Sequence, residues 1–165
     1  MVTDLPQRNV HFVPVWGKVR AAQQQEIVHF WLLHRAMAPQ EALSRAGQAA
    51  VLIHNSEGVL VGISTAERKA VRLLNNHYLF EVRCFIAPQA RQPALDTMLL
   101  VETKRELGTH RYVNGRDTIG LLLAIESEAP KKWTKAYWPG SDYYFIGFTS
   151  QGHHVRVSYF SDAKI

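Results

Sequence analysis

The amino-acid sequence predicts one α/β (α+β) domain, built on a central twisted mixed β-sheet of about seven strands flanked by about four helices. The chain has 165 residues, which is the size of one ordinary domain. Apolar residues recur with strand and helix periods in turn. We find no flexible linker, charge block or internal repeat that would divide the chain. Residues 1–165 are therefore treated as one domain.

The first part of the chain predicts a strand followed by two helices. Residues 8–16 read as a strand, and Pro14 favours a position at the sheet edge. Residues 21–37 read as a helix because four side chains fall on one face, namely Ile27, Phe30, Trp31 and His34. Pro39 is a favoured first-turn residue, so a second, short helix is expected from there to Gly47.

The next segments predict a β-hairpin and a third strand. Residues 50–54 and 59–66 are apolar strands on either side of the turn residues 55–58. Residues 78–86 are rich in aromatic and β-branched side chains, and Pro88 ends this strand. These segments supply the middle of the predicted sheet.

The second half of the chain alternates helices with strands. Residues 94–107 predict a helix, and residues 119–125 predict a central strand because they are apolar on both faces. Residues 126–137 predict a further short helix. Residues 143–149 and 154–160 then form a last hairpin, whose aromatic edge predicts either a homodimer contact or a wall of the substrate groove.

Composition limits the classes of protein that this chain can be. Hydrophobic residues make up 47% and charged residues 20%, which excludes a disordered chain. The longest apolar runs fall far short of the ~20 residues that a membrane span needs. We see no secretory signal in residues 1–6, so we expect a cytoplasmic protein without a membrane partner.

The charge and the cysteine content are equally informative. Nineteen basic against fourteen acidic side chains give a net charge of +5, which suits nucleic acid or a phosphate-bearing cofactor. The single cysteine, Cys84, excludes an internal disulfide, and its apolar strand predicts a buried, inert thiol. No histidine pair has metal-site spacing, so no metal is expected.

One motif connects the strand at 78–86 with the following helix. Ile86 ends the strand, and Pro88 and Arg91 then stand in a P-x-x-R spacing ahead of Leu99 and Leu100. This spacing, together with the order of elements, resembles the GNAT superfamily of acyl-CoA-dependent N-acyltransferases. The resemblance implies a GNAT-like fold and acetyl-CoA as co-substrate.

The resemblance also implies where the cofactor binds. In that family the backbone at the strand end holds the pantetheine arm and polarises the thioester carbonyl. The helix N-terminus and the arginine bind the pyrophosphate. Carried over to this chain, the cofactor-binding residues are Phe85, Ile86, Ala87, Arg91, Gln92, Ala94 and Leu95.

The chain departs from the family pattern at five positions. Ala94 replaces an expected glycine and Asp96 an expected glycine or alanine; glycine lets the backbone approach phosphate, and Asp96 brings a carboxylate close to the expected anion. In the second family block Trp133 takes the place of a tyrosine that often protonates the leaving thiolate. Tyr137 and Trp138 stand where the family usually has Gly-Phe, and we predict Tyr137 as the substitute acid.

Glu81 is the candidate general base, because it is a carboxylate in an apolar strand. The alternative is a solvent-facing residue paired with Arg83 or with a neighbouring strand. His77 and His54 are further candidates for the base, since histidine titrates near neutral pH, although each could be a plain surface residue.

Two basic clusters leave the acceptor open. One has Lys131, Lys132 and Lys135 beside six aromatic residues, and it reads either as an acceptor wall or as a hydrophobic seam; the six are Trp133, Tyr137, Trp138, Tyr143, Tyr144 and Phe145. The other cluster, on the connection between two strands, consists of Arg68, Lys69 and Arg72. It is interpreted either as a contact to phosphate or as a solvated loop.

The sequence thus predicts an N-acyltransferase acting on an unknown amine acceptor, with nucleic acid or an anionic small molecule as candidates. The alternatives are a non-catalytic GNAT-fold module that binds nucleic acid or a protein, a Mom-like DNA-modifying protein, and a transferase whose acyl donor is a carrier other than free CoA.

Overall fold

The computed structural model describes residues 9–125 and 135–165. Within these ranges the chain forms eight strands and three α-helices. Their order is β1 (His11–Pro14), α1 (Ala21–Leu33), α2 (Pro39–Arg45), β2 (Ala49–His54), β3 (Leu60–Val71), β4 (His77–Ile86), α3 (Pro93–Gly108), β5 (Thr118–Ile125), β6 (Tyr137–Trp138), β7 (Tyr143–Phe148) and β8 (His154–Tyr159).

The predicted fold class is confirmed, with differences in detail. The sheet has eight strands rather than about seven, and the described ranges contain three α-helices rather than about four. The predicted helix at 126–137 lies outside the described residues except for its end. There the prediction is wrong, because Tyr137 pairs with Tyr144 in a strand. Helix α1 ends at Leu33 rather than at residue 37, since Arg35 adopts a left-handed conformation (φ 51°).

The eight strands form one sheet in the order β1-β2-β3-β4-β5-β8-β7-β6. Neighbouring strands are antiparallel except for β4 and β5, which are parallel. A parallel pair needs a crossover connection, and helix α3 provides it. The sheet is therefore mixed, as the sequence predicted, with its parallel pair at the centre.

Strands β4 and β5 separate before they end. Their registered pairing runs from Tyr78↔Thr118 to Val82↔Leu123. Strand β4 nevertheless continues to Ile86, and β5 continues to Ile125. We call the space between residues 83–86 of β4 and the end of β5 the β4–β5 opening; its closed end lies at Val82 and Leu123.

The helices cover both faces of the sheet. Helices α1 and α2 bury Ile27, Trp31 and Ala42 against Leu52 and Ile63 on one face. Helix α3 packs on the other face, where its buried residues join those of β4 and β5: Leu100, Leu107, Phe80, Val82 and Leu121. Within the described ranges, no helix is long and apolar enough to cross a membrane.

Candidate active site

The backbone of β4 turns polar groups towards the β4–β5 opening. The N–H of Ala87 donates to the Val61 carbonyl at 2.8 Å, so this is a hydrogen-bonded pair of the antiparallel β3–β4 ladder. Because such pairs alternate along a ladder, the N–H and C=O groups of Cys84 and Ile86 point away from β3. Arg91 Nε donates to the Ile86 carbonyl at 3.3 Å, which agrees with that orientation.

The start of helix α3 stands at the mouth of the opening. A single 3-10 turn, Pro88–Ala90, follows β4, and the chain is extended at Arg91 and Gln92 before Pro93 begins the helix. Pro93 is a favoured first residue because it has no N–H to leave unpaired. The first turn carries the positive end of the helix dipole and the amide groups that such an end leaves without intrahelical partners.

The structure brings the predicted cofactor-binding residues together, but mainly through their backbone. The Phe85 side chain lies against Phe30 of α1, with ring centroids 5.6 Å apart. Ile86, Ala87 and Leu95 are buried in the core. Ala94 is exposed, and Arg91 is the charged side chain among the predicted cofactor residues. A ligand here would thus contact the backbone of β4, the N-terminus of α3 and the guanidinium of Arg91.

Cys84 shows that the opening admits solvent. The prediction of a buried side chain is wrong, because Cys84 is exposed. Yet its thiol lies deep among protein atoms, as expected of a residue that lines a narrow cleft. This environment raises the pKa of Cys84 from 9.0 to about 12, through burial and, secondarily, through the negative charge of Asp96. The first turn of α3 therefore holds a carboxylate beside the opening.

We expect Cys84 to react slowly despite its exposure. Because the thiolate is the reactive form, alkylation by iodoacetamide at pH 8 should be more than tenfold slower than for an ordinary thiol. The rate should keep rising with pH beyond pH 10. The chain has one cysteine, so mass spectrometry assigns the adduct without ambiguity. The guanidinium-unfolded chain, which lacks this environment, serves as the control; equal rates in both states would contradict the prediction.

Glu81 lies on the face of the sheet that α1 and α2 cover. Its carboxylate forms ion pairs with Lys69 at 3.3 Å and with Arg83 at 3.4 Å. Arg83 also lies 3.6 Å from the carboxylate of Glu41 in α2. These ion pairs match the alternative that the sequence left open. Glu81 directly precedes Val82, at the closed end of the opening, so its role as a base stays a prediction.

Tyr137, the predicted acid, lies far from Glu81. The two residues stand on one row across five neighbouring strands, joined by the registered partners Leu122, Val157 and Tyr144. Four strand spacings place their Cα atoms about 19 Å apart. Tyr137 donates to Asp142 at 2.8 Å, a bond that raises its pKa. The structure therefore does not bring Glu81 and Tyr137 to one reacting centre.

The two histidine candidates have other surroundings. His54 Nε2 lies 3.0 Å from Glu26 of α1. His77 begins β4, about 30 Å from Ile86 along the strand. There it lines an open cavity of about 650 Å³ together with Tyr78, Arg116 and Lys164. In the part of the chain that the structure describes, no three His, Cys, Asp or Glu side chains converge as metal ligands.

Of the predicted basic clusters, Arg68 and Lys69 are tied into internal contacts, whereas Arg72 and Lys135 are exposed. Arg68 and Lys69 lie in β3 rather than on a connection, which corrects the prediction. Arg68 stacks 3.8 Å from the Tyr78 ring and donates to Thr118 at 2.7 Å. Lys69 pairs with acidic residues, as described for Glu81. Lys131 and Lys132 lie outside the described residues.

The sequence predicts no individual role for Tyr143, which it places in the aromatic cluster with five other residues. Its side chain is fully buried on the α3 side, and its hydroxyl has no hydrogen-bond partner among the described residues. Nearby, Lys104 of α3 donates to Ser158 of β8 at 2.9 Å. The alternation of residues along the hairpin could not predict that Tyr143 is the buried one, because Tyr143 and Tyr144 are adjacent and either could have faced inwards.

Comparison with solved structures gives this architecture a name. The chain superposes on a GNAT-superfamily phosphinothricin acetyltransferase from Sinorhizobium meliloti, solved with AcCoA, with a TM-score of 0.64 at 12% identity, covering 94% of this chain and 90% of that one. The chain has the GNAT fold. A GCN5-related N-acetyltransferase from Kribbella flavida gives a TM-score of 0.59 at 13% identity over 92% and 98% of the two chains.

Further comparisons agree with this fold. A GNAT-family acetyltransferase from Streptococcus pneumoniae has a TM-score of 0.57 at 11% identity, covering 92% of this chain and 100% of that one. No protein-family model and no curated protein matches the sequence. The likeness therefore establishes the GNAT fold that the sequence motif predicted, and the chemistry has to be argued from the site.

Proposed function

We propose that this GNAT-fold chain is an N-acyltransferase that transfers an acyl group, acetyl in the first instance, from a CoA thioester to an amine. The observation that carries the proposal is the end of β4–β5 pairing at Val82↔Leu123, four residues before β4 itself ends. An extended amide-bearing arm fits between two strands that have parted, because it can pair with strand backbone.

The mouth of the opening supports the same donor. The α3 N-terminus and Arg91 offer amide donors, a positive dipole end and a guanidinium, which together suit a pyrophosphate. In this proposal the donor reaches the closed end of the opening with its thioester. The cytoplasm, where acyl-CoA is available, is the compartment that we propose.

The proposed reaction forms a C–N bond and breaks the C–S bond of the thioester. The amine attacks the carbonyl carbon, loses one proton to a base, and the CoA sulfur leaves as a thiolate that takes up a proton. We propose Glu81 as the base for an amine that arrives from the α1/α2 face. Lys69 and Arg83 would then hold and orient its carboxylate.

A second candidate function follows from Asp96. Its carboxylate acts on Cys84 and so lies beside the opening, where it opposes an anionic diphosphate. This favours a GNAT-fold module that does not use free acetyl-CoA, but binds its donor from another carrier or carries no activity. The two candidates differ in whether the isolated protein binds CoA.

Calorimetric titration with acetyl-CoA and CoA tests the proposal. We expect binding by the natural protein, and about tenfold weaker binding by Arg91→Ala, which corresponds to about 1.4 kcal/mol. The matched control is Arg105→Ala, which removes a 71%-exposed arginine further along the same helix and should leave the affinity unchanged.

The outcomes separate the two candidates. A folded protein that binds neither ligand would overturn the acyltransferase proposal and favour the second candidate. Equal affinities for Arg91→Ala and Arg105→Ala would show that Arg91 does not contact the donor. If binding is found, thiol release from acetyl-CoA with a panel of small amines would then test transfer.

A further inference from the structure

A buried hydroxyl without a partner is an expensive feature of a folded protein. The phenol of Tyr143 is 0% exposed, and its oxygen has no hydrogen-bond partner among the described residues. Leaving such a group unpaired costs about 1–3 kcal/mol, so buried polar groups are nearly always bonded. The exception is informative when the group lies where a ligand would arrive.

Tyr143 lies next to the closed end of the β4–β5 opening. Its ring belongs to the same packed cluster as Val82, Leu123 and Leu100, which are the residues around that end and the helix above it. Cys84, which lines the opening, is close enough that a negative charge on its sulfur would raise the pKa of Tyr143. An elongated ligand that enters at the α3 N-terminus would direct its far end towards this phenol, and the side chains packed over the hydroxyl would have to move aside for direct contact.

The surroundings define the chemistry of the group that would satisfy Tyr143. Burial raises the pKa of Tyr143 well above 10, so the phenol stays protonated and donates a hydrogen bond. The Cys84 thiol also stays protonated, and the carboxylate whose charge raises its pKa is that of Asp96. A neutral acceptor oxygen suits this place, whereas a second anion would meet the charge of Asp96.

We propose that the Tyr143 hydroxyl donates a hydrogen bond to the acyl carbonyl oxygen of the donor thioester, and so makes the site prefer an acylated donor to free CoA. This inference rests on the proposed function. It assigns Tyr143, rather than the exposed Tyr137, to the donor. Tyr143 would be a specificity-determining residue, since the bond can form only when an acyl group is present.

A double-mutant cycle tests the bond directly. One change is Tyr143→Phe, and the other replaces acetyl-CoA by S-ethyl-CoA, which keeps the carbon chain but lacks the carbonyl oxygen. We expect Tyr143→Phe to weaken acetyl-CoA binding about fivefold, the effect of one neutral hydrogen bond, and to leave S-ethyl-CoA and CoA within about twofold. Calorimetry gives all the affinities.

The matched control is Tyr144→Phe. It removes a phenol hydroxyl from the adjacent residue, which is 50% exposed and lies on the opposite face of the sheet. All three ligands should bind this variant as they bind the natural protein. A thermal melt completes the set: Tyr143→Phe should melt at the same temperature or higher, because it removes an unpaired buried hydroxyl.

Each result decides the inference. A natural protein that binds none of the three ligands overturns the proposed function, and this inference with it. Binding that Tyr143→Phe does not change, or weakens equally for all three ligands, overturns the inference alone. A melting temperature lowered by more than about 4 °C would show that the hydroxyl already has a partner in the free protein, and this too would overturn it.

Discussion

Gly120→Ala is expected to lower the free energy of unfolding by about 3 kcal/mol or more. A Cβ at this position would lie 2.3 Å from the Ser158 carbonyl oxygen and 2.9 Å from the Tyr159 Cα. Both atoms belong to the backbone of β8, so no side-chain rotation relieves the contact. Overpacking in a filled core commonly costs about 1–3 kcal/mol, and a backbone obstacle belongs at the upper end.

The measurement is a thermal or urea unfolding curve. For a domain of this size about 3 kcal/mol corresponds to a fall in Tm of about 6–12 °C. Gly47→Ala is the matched control, because its nearest neighbour would be a glutamine side-chain atom 4.0 Å away. That variant should keep the natural stability within about 1 kcal/mol. A similarly small effect of Gly120→Ala would mean that β5 can shift away from β8.

Local signals predicted the elements around the donor site well. Helix α3 was expected at 94–107 and runs from Pro93 to Gly108; a proline suits the first helical position, whereas Gly108 lies inside the last turn and Thr109 is the C-terminal cap residue. The apolar residues 119–125 predicted a strand covered on both faces, and β5 is that strand. Together with the motif after Ile86, these elements were enough to predict the GNAT fold.

Non-local pairing was much harder to predict. Strand β3 was expected to end at Ala66, but it continues to Val71 because Glu67 to Val71 pair with β4. Those residues carry charges and look like a loop by composition. Partner strands, rather than local propensity, decide such a case.

The layout of the candidate site depends on the same kind of non-local pairing. Glu81 was predicted as the base because it is a carboxylate in an apolar strand, and Tyr137 was predicted as the acid from the family resemblance. The register of five strands sets the two residues about 19 Å apart. Strand register also decides that Tyr143 faces α3 while Tyr144 faces outwards, and an irregularity between Phe145 and Gly147 makes this hairpin depart from simple alternation. A sequence shows the period of a strand but not its partners.

Asp96→Asn is expected to strengthen the binding of acetyl-CoA and CoA severalfold. The carboxylate stands in the first turn of α3 and acts electrostatically on Cys84, so it lies near the path proposed for the diphosphate. A carboxylate that lay about 7 Å from a phosphate would repel it by about 2 kcal/mol in the partly screened environment of a protein surface. The asparagine keeps the size of the side chain and removes that repulsion.

The gain should be largest at low ionic strength, because salt screens charges at this distance. Calorimetry at two salt concentrations measures it, with Glu102→Gln as the control: this change removes a carboxylate further along the same helix, where it pairs with Arg105. The Asp96→Asn variant should also alkylate Cys84 faster, since one of the two causes that raise the thiol pKa is gone. Weaker CoA binding by Asp96→Asn would contradict the expectation. It would mean that the carboxylate holds the donor or a residue that does, and that the chain recognises its donor differently from a plain anion site at a helix N-terminus.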